Sequence, residues 1–157
     1  MIFFYALGGG LGHFLRARSA LNTLYYGEEA VLLSSCKRAD EFLPLPGVEI
    51  LHPPTVAGAQ FSQWLEGKLR YYSPSLLAVD VFPSGLFGEL PFLGQAYVES
   101  RVLFSRLLNF PTYERICGNA SCQFDQIYLC EQMPELHVSR LRKYSSRIEP
   151  IDLIDPH

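Results

Sequence analysis

The fold is decided between residues 2 and 17, "IFFYALGGGLGHFLRA". Ile2 to Leu7 form a continuous apolar run, the pattern of a strand buried on both faces, and such strands belong to parallel sheets covered by helices. Glycines then occupy positions 8, 9, 10 and 12, and His13 follows directly. Glycine lets the chain turn tightly and lets a ligand approach the backbone. The next stretch, "GHFLRARSALNTLYYG", sets Leu15, Ala17, Leu21 and Leu24 at helical spacing and stops at Gly27, a C-terminal cap. A strand, a glycine loop and a helix N-terminus together favour an anion, because the free N–H groups of the first helical turn point at it. A phosphate, a dinucleotide or the acceptor of a group transfer would each suit that position.

The remaining chain extends the same alternation. "AVLLSS" (30–35) reads as a second buried strand, "DEFLPL" (40–45) as a short helix and "VEILHP" (48–53) as a third strand. After the loop "PPTVAGAQ" (53–60), "FSQWLEGKLRYYS" (61–73) places Phe61, Trp64, Leu65 and Leu69 on one helical face. "LLAVDVF" (76–82) is the fourth strand, and "AYVESRVLF" (96–104) and "FDQIYLCE" (124–131) are further strands. Residues 109–123 read as a loop with a short helix, and the tail 146–157 as a last short strand or a linker. The expected architecture is α/β: a Rossmann-like, doubly wound, mostly parallel sheet of five to seven strands flanked by helices, in a single domain over residues 1–157.

Composition narrows the function classes. The chain is 48% hydrophobic and 18% charged, with a net charge of -3, so no basic surface gathers nucleic acid. The apolar run at the start lacks a preceding Lys or Arg and is too short for a signal peptide or a membrane span. A cytoplasmic protein that meets membranes only peripherally is expected. Cys36, Cys117, Cys122 and Cys130 read as reduced thiols. The gaps between Cys117, Cys122, Cys130 and His137 match no common zinc pattern, so no metal is expected.

In a doubly wound sheet, ligands bind beyond the carboxyl ends of the strands, where the strand order reverses. The unusual residues fall there: Gly8 to His13 after the first strand, Asp80 to Gly85 at the end of the fourth, and Glu131 closing the last strong strand. As a dinucleotide fingerprint the loop fails at its third glycine, which is His13, and no acid follows the second strand. Lys37 and Arg38 lie there instead and would suit a phosphorylated ribose, so an NADP-binding oxidoreductase using Gly8, Gly10, Lys37 and Arg38 is the alternative reading. A phosphate-binding P-loop fits less well, because no Lys-Ser or Lys-Thr pair follows the glycines.

His13 at the mouth of the loop could take a proton from an attacking hydroxyl, the task of a base in group transfer, or simply pack at the helix start. Asp80 is an acid inside an apolar strand, where a carboxylate must be paired or hydrogen-bonded. It could orient His13, bind a substrate hydroxyl or cap the following turn. Pro83 and Gly85 shape that turn, and Glu89 reads as a helix-start residue. Arg16, one turn beyond His13, could face an anion. Arg101, among apolar neighbours, needs an acidic partner or a phosphate.

"GGGLGHFLRA" resembles the first loop of GT-B glycosyltransferases related to family 28, where the pattern G-x-G-H-x-x-R-A recurs. Gly10, Gly12, His13, Arg16 and Ala17 match it. "DVFPSGLFGEL" is similar to the acid, Pro and Gly segment after the fourth strand of that group, and "IYLCE" to the strand ending in Glu. The resemblance implies an N-terminal domain that binds the acceptor, while a second domain holds most of a nucleotide-sugar donor, UDP-linked here, with no other cofactor. It implies that His13 and the glycine loop face the cleft near the donor diphosphate and the acceptor; joined to the reading of the residues above, it makes His13 and Asp80 the expected catalytic pair. Gly8, Gly9, Gly10, Gly12, Arg16, Pro83, Gly85, Arg101 and Glu131 would then contact substrate or the donor diphosphate. The implied partners are a nucleotide-sugar, a sugar or lipid-linked acceptor, and a donor-binding domain. That domain would lie in the same chain, of which this is a fragment, or on a separate polypeptide, as in split two-subunit members; alternatively, the half-domain has lost transfer activity. The face that such a domain would cover is expected to be apolar and to favour association, a homodimer included.

Overall fold

A computed structural model describes residues 1–42, 45–93, 97–118 and 120–156. Among these described residues, seven strands form one sheet in the order β3-β2-β1-β4-β5-β6-β7, and every neighbouring pair is parallel. They are β1 (Ile2–Ala6), β2 (Ala30–Ser34), β3 (Val48–Leu51), β4 (Leu76–Asp80), β5 (Ser100–Ser105), β6 (Gln126–Leu129) and β7 (Ile148–Pro150). The helices are α1 (Gly12–Leu24), α2 (Ala59–Tyr72), α3 (Phe110–Cys117) and α4 (Glu135–Leu141). This is the Rossmann-like, doubly wound α/β fold. Order runs outward from β1 to β3 in one direction and from β4 to β7 in the other, so it reverses between β1 and β4.

Right-handed crossovers running in opposite directions must cover opposite faces, which divides the core in two. Along β1, Phe3 and Tyr5 face a core completed by Phe61, Leu65 and Leu69 of α2, Phe110 and Tyr113 of α3, and Leu141 of α4. Ile2, Phe4 and Ala6 face the other core, with Phe14, Ala17, Ala20 and Leu21 of α1. Ala78 of β4 is small enough for Phe4 and Phe104 to meet across it, their rings stacked at 5.4 Å, and Tyr128 extends the stack by another 5.4 Å. Burying an apolar side chain of this size contributes about 1.5–3 kcal/mol, so both faces of β1 anchor the fold.

Several expected boundaries move. The buried stripe of α1 is Phe14, Ala17, Ala20 and Leu21, with Leu15 half-buried and Leu24 outside; the helix stops at Tyr25, and Gly27 (φ +83°) makes the turn beyond it. The short helix expected at 40–45 is a 3-10 turn at Ala39–Phe42, and Leu43 and Pro44 lie outside the described residues. β5 begins at Ser100 rather than Ala96, which lies outside the described residues, because its partner β4 begins at Leu76, directly opposite Ser100. α4 has no counterpart in the sequence reading: it is 7 residues long and buries only His137 and Leu141, too few positions for a helical period to register. The tail forms the short strand β7, and residues beyond it fold back along α1, where Arg18 binds Asp155 at 2.6 Å and Thr23 Oγ1 accepts from the Ile154 N–H at 2.8 Å.

Candidate active site

Asp80 ends β4 at the reversal point and has no exposed surface, 0% for its side chain. Three donors hold it. His13 Nδ1 lies 2.7 Å from Oδ2, Arg16 Nε donates to Oδ1 at 2.6 Å, and Arg16 Nη2 donates to Oδ2 at 2.9 Å. Both partners come from the first turns of α1, one helical turn apart, so β1 and β4 lying side by side bring the pair onto the acid. A carboxylate can only accept, so the proton on the bonded nitrogen belongs to His13 Nδ1 and the lone pair to Nε2. The imidazole side chain is 16% exposed and the Arg16 side chain 12%, enough to meet a ligand without releasing Asp80 to water.

The glycine loop makes room for this ring. A methyl group at Gly8 would fall inside the His13 imidazole, so any side chain there would drive the ring out of its place. Gly9, Gly10 and Gly12 have open space where a side chain would stand, and Gly10 sits at φ +83°, a conformation that favours glycine. No side chain caps α1 and no acid lies in its first turn. The N–H groups of that turn therefore face the loop with the positive end of the helix dipole behind them. Phe82 stacks on the imidazole, with ring centroids 5.5 Å apart.

Pro83 and Gly85 belong to the loop that leaves β4. Gly85 (φ +87°) is required there, since a Cβ would lie 2.6 Å from the Glu89 carboxyl carbon. That carboxylate is buried. It accepts from the Tyr5 hydroxyl and, at 2.9 Å, from the Phe87 N–H, while Tyr5 Oη accepts from the Leu86 N–H at 2.8 Å. Tyr113 donates to the Gly85 carbonyl at 2.6 Å and accepts from the Ser84 N–H at 2.9 Å. Burial, with Glu89 beside it, holds the Tyr5 hydroxyl well above its ordinary pKa, so it remains a donor. Glu89 thus precedes a helical turn as expected, and it also ties the loop to β1.

Glu131 reaches the same sheet edge, where it accepts from Arg106 Nη2 at 2.9 Å and the Leu107 N–H at 2.7 Å. The Arg106 bond foremost, and then the Leu107 N–H, hold its carboxyl below the ordinary glutamate value. It fastens the loop after β5 rather than standing free for a ligand. Arg101 is a correction. It is the second residue of β5, at the amino end of the strands, paired with Leu77 near the start of β4, and its backbone N–H donates to Asp125 Oδ2 at 2.8 Å. It cannot join His13 and Asp80: the strand expected from Ala96 puts Arg101 in its second half, whereas β5 begins at Ser100 and leaves Arg101 at the amino end.

Arg106 is the residue that sequence reasoning missed. With Arg16 it lines an open groove of about 480 Å³ between α1 and the returning tail, together with Gly12, Ser19, Cys130 and Asp152. Its signal was a basic residue directly after the apolar run "VLFS". Burial first, then the neighbouring Asp80, pushes the Cys130 thiol up to about 12, so it lines the groove uncharged. At the end of β2, Lys37 is exposed and Arg38 is bound to Glu41 at 2.8 Å. Among the described residues no helix is long and apolar enough to cross a membrane. Comparison of the chain with protein-family models, curated proteins and solved structures finds no match.

Proposed function

We propose that this chain is the acceptor-side half of an inverting glycosyltransferase that uses a UDP-linked sugar, with His13 as the base. The observation that carries the proposal is the His13–Asp80 contact at 2.7 Å, at the reversal point of the sheet. Asp80 fixes the tautomer and steadies the imidazolium that forms; Nε2 takes the proton from the acceptor hydroxyl as its oxygen attacks the anomeric carbon. The bond from that carbon to the diphosphate breaks on the far side, giving inversion. The uncapped N-terminus of α1 stabilises the negative charge of the departing diphosphate without needing a metal ion. His13 and Arg16, both part of the motif that resembles family 28, converge on a single carboxylate, which supports treating them as one device.

The donor-binding half is supplied from outside these residues. Phe87 and Phe92 in the segment after β4, Leu107 in the loop after β5 and Leu136 in α4 are exposed, an apolar rim suited to being covered. Peripheral membrane contact and a lipid-linked acceptor fit the same rim. Calorimetric titration with UDP, a UDP-sugar and NADPH tests the reading. UDP and the UDP-sugar should bind weakly, with the signal lost in His13→Ala, and NADPH should not bind. NADPH binding that is lost when Lys37 and Arg38 are replaced would overturn it in favour of an oxidoreductase.

A further inference from the structure

The residue after Asp80 has a backbone that its side chain disfavours. Val81 sits at φ +67°, a region that a β-branched residue rarely enters, and the Phe82 N–H donates to the Asp80 carbonyl at 2.8 Å. A hydrogen bond from residue i+2 back to residue i around a positive φ is a γ-turn of the strained kind. Strain persists where surrounding structure over-determines it, and here the determinants are visible. The Val81 N–H is held by the Phe104 carbonyl at 2.9 Å, and its side chain is buried. The turn reverses the chain within a single residue of the acid, so that Phe82 comes back beside the ring that Asp80 binds.

Phe82 then lies between two rings. It stacks on His13 at 5.5 Å with planes inclined by 28°, and on Tyr113 at 5.7 Å, again at 28°. Tyr113 cannot yield, because its hydroxyl is bonded at both Gly85 and Ser84. The imidazole is therefore fixed in its plane by Phe82, at one nitrogen by Asp80, and at its edge by the bare backbone of Gly8. A hydrogen bond alone leaves a ring free to tilt about it, and a flat aromatic face removes that freedom.

We propose that Phe82, turned back by the strained turn at Val81, is the positioning residue that sets the ring plane of His13 and so the direction of its Nε2 lone pair. The proposal rests on the reading of His13 as the base only for its purpose; the geometry it asserts can be measured with no substrate present. The test is the ¹H–¹⁵N NMR spectrum of the His13 imidazole in the whole chain, for the native sequence, Phe82→Leu and Phe82→Tyr. Leucine keeps an apolar side chain against Tyr113 but has no flat face, and so guards against loss of the fold. The native protein should give a single, sharp, downfield Nδ1–H signal. Phe82→Leu should broaden or lose it at neutral pH while the signals of the Tyr5 and Tyr113 cluster stay put, and Phe82→Tyr should restore it. An unchanged signal in Phe82→Leu, or loss in both variants, would overturn the proposal. If the signal behaves as expected but UDP-sugars do not bind, the positioning role stands and the glycosyl-transfer reading falls.

Discussion

At the residue scale the account turns on one carboxylate. Asp80 was legible in the sequence because an acid inside "LLAVDVF" must find partners, and His13 because it replaces the third glycine of a nucleotide fingerprint. That the two meet was only one of three readings open for Asp80, since 67 residues separate them and the reversal of strand order is what makes β1 and β4 neighbours. Val81 and Phe82 were not legible: a backbone turn at a β-branched residue is imposed by its surroundings. Asp80→Asn keeps the volume but presents an amide to a buried guanidinium. Breaking a buried pair of this kind costs about 3–5 kcal/mol. Urea unfolding should show a loss of that order, and a loss below about 1 kcal/mol would mean that Arg16 and His13 find other partners. Gly8→Ala should also destabilise the protein, by about 1–3 kcal/mol, as an overpacked site does. It should weaken the His13–Asp80 contact too, because the imidazole must leave the space the methyl takes.

Elements place the loops that frame this site, and two titrating groups report on them. The Glu131 carboxyl is held below its ordinary value by Arg106 and the Leu107 N–H. Its contribution is present above the unfolded value of 4.5 and is lost as pH falls through the lower folded value. Below about pH 4.5, Glu131→Gln should therefore lose less stability per pH unit than the native chain. His137 behaves differently. Its Nε2 accepts from the Leu108 N–H at 3.0 Å, and burial lowers its pKa from 6.5. The unfolded chain then binds the extra proton first, so stability is full above the unfolded value and declines as pH falls below it. His137→Gln should flatten that decline below pH 6.5, measured by thermal unfolding at a series of pH values. Identical slopes would show that His137 takes up its proton alike in the folded and unfolded chains. β1 to β6 and the helices α1 and α2 were legible from apolar runs and helical spacing, with ends displaced by pairing, whereas α3 was legible only as a short helix somewhere in 109–123 and β7 only as one of two readings of the tail. α4 was not, because it is short and buries two residues.

For the whole molecule, the sheet explains why so many chemistry-bearing residues gather at one edge. All seven strands point the same way, so every strand's carboxyl end opens there, and Arg101 is excluded because it starts a strand instead. The apolar rim on that edge predicts concentration-dependent association in sedimentation velocity, reduced by the double change Phe87→Ser and Phe92→Ser. A monomer at all concentrations would argue against a covered face. The central claim is that the loop between β1 and α1, not the end of β2, receives the nucleotide-sugar. Amide chemical-shift mapping with a UDP-sugar at millimolar concentration tests it most directly. Shifts should concentrate at Gly8 to His13, Arg16 and Ser84 to Gly85, and should vanish in Asp80→Asn. Shifts confined to Ser34 through Arg38, or none at any concentration of the UDP-sugar, would contradict it.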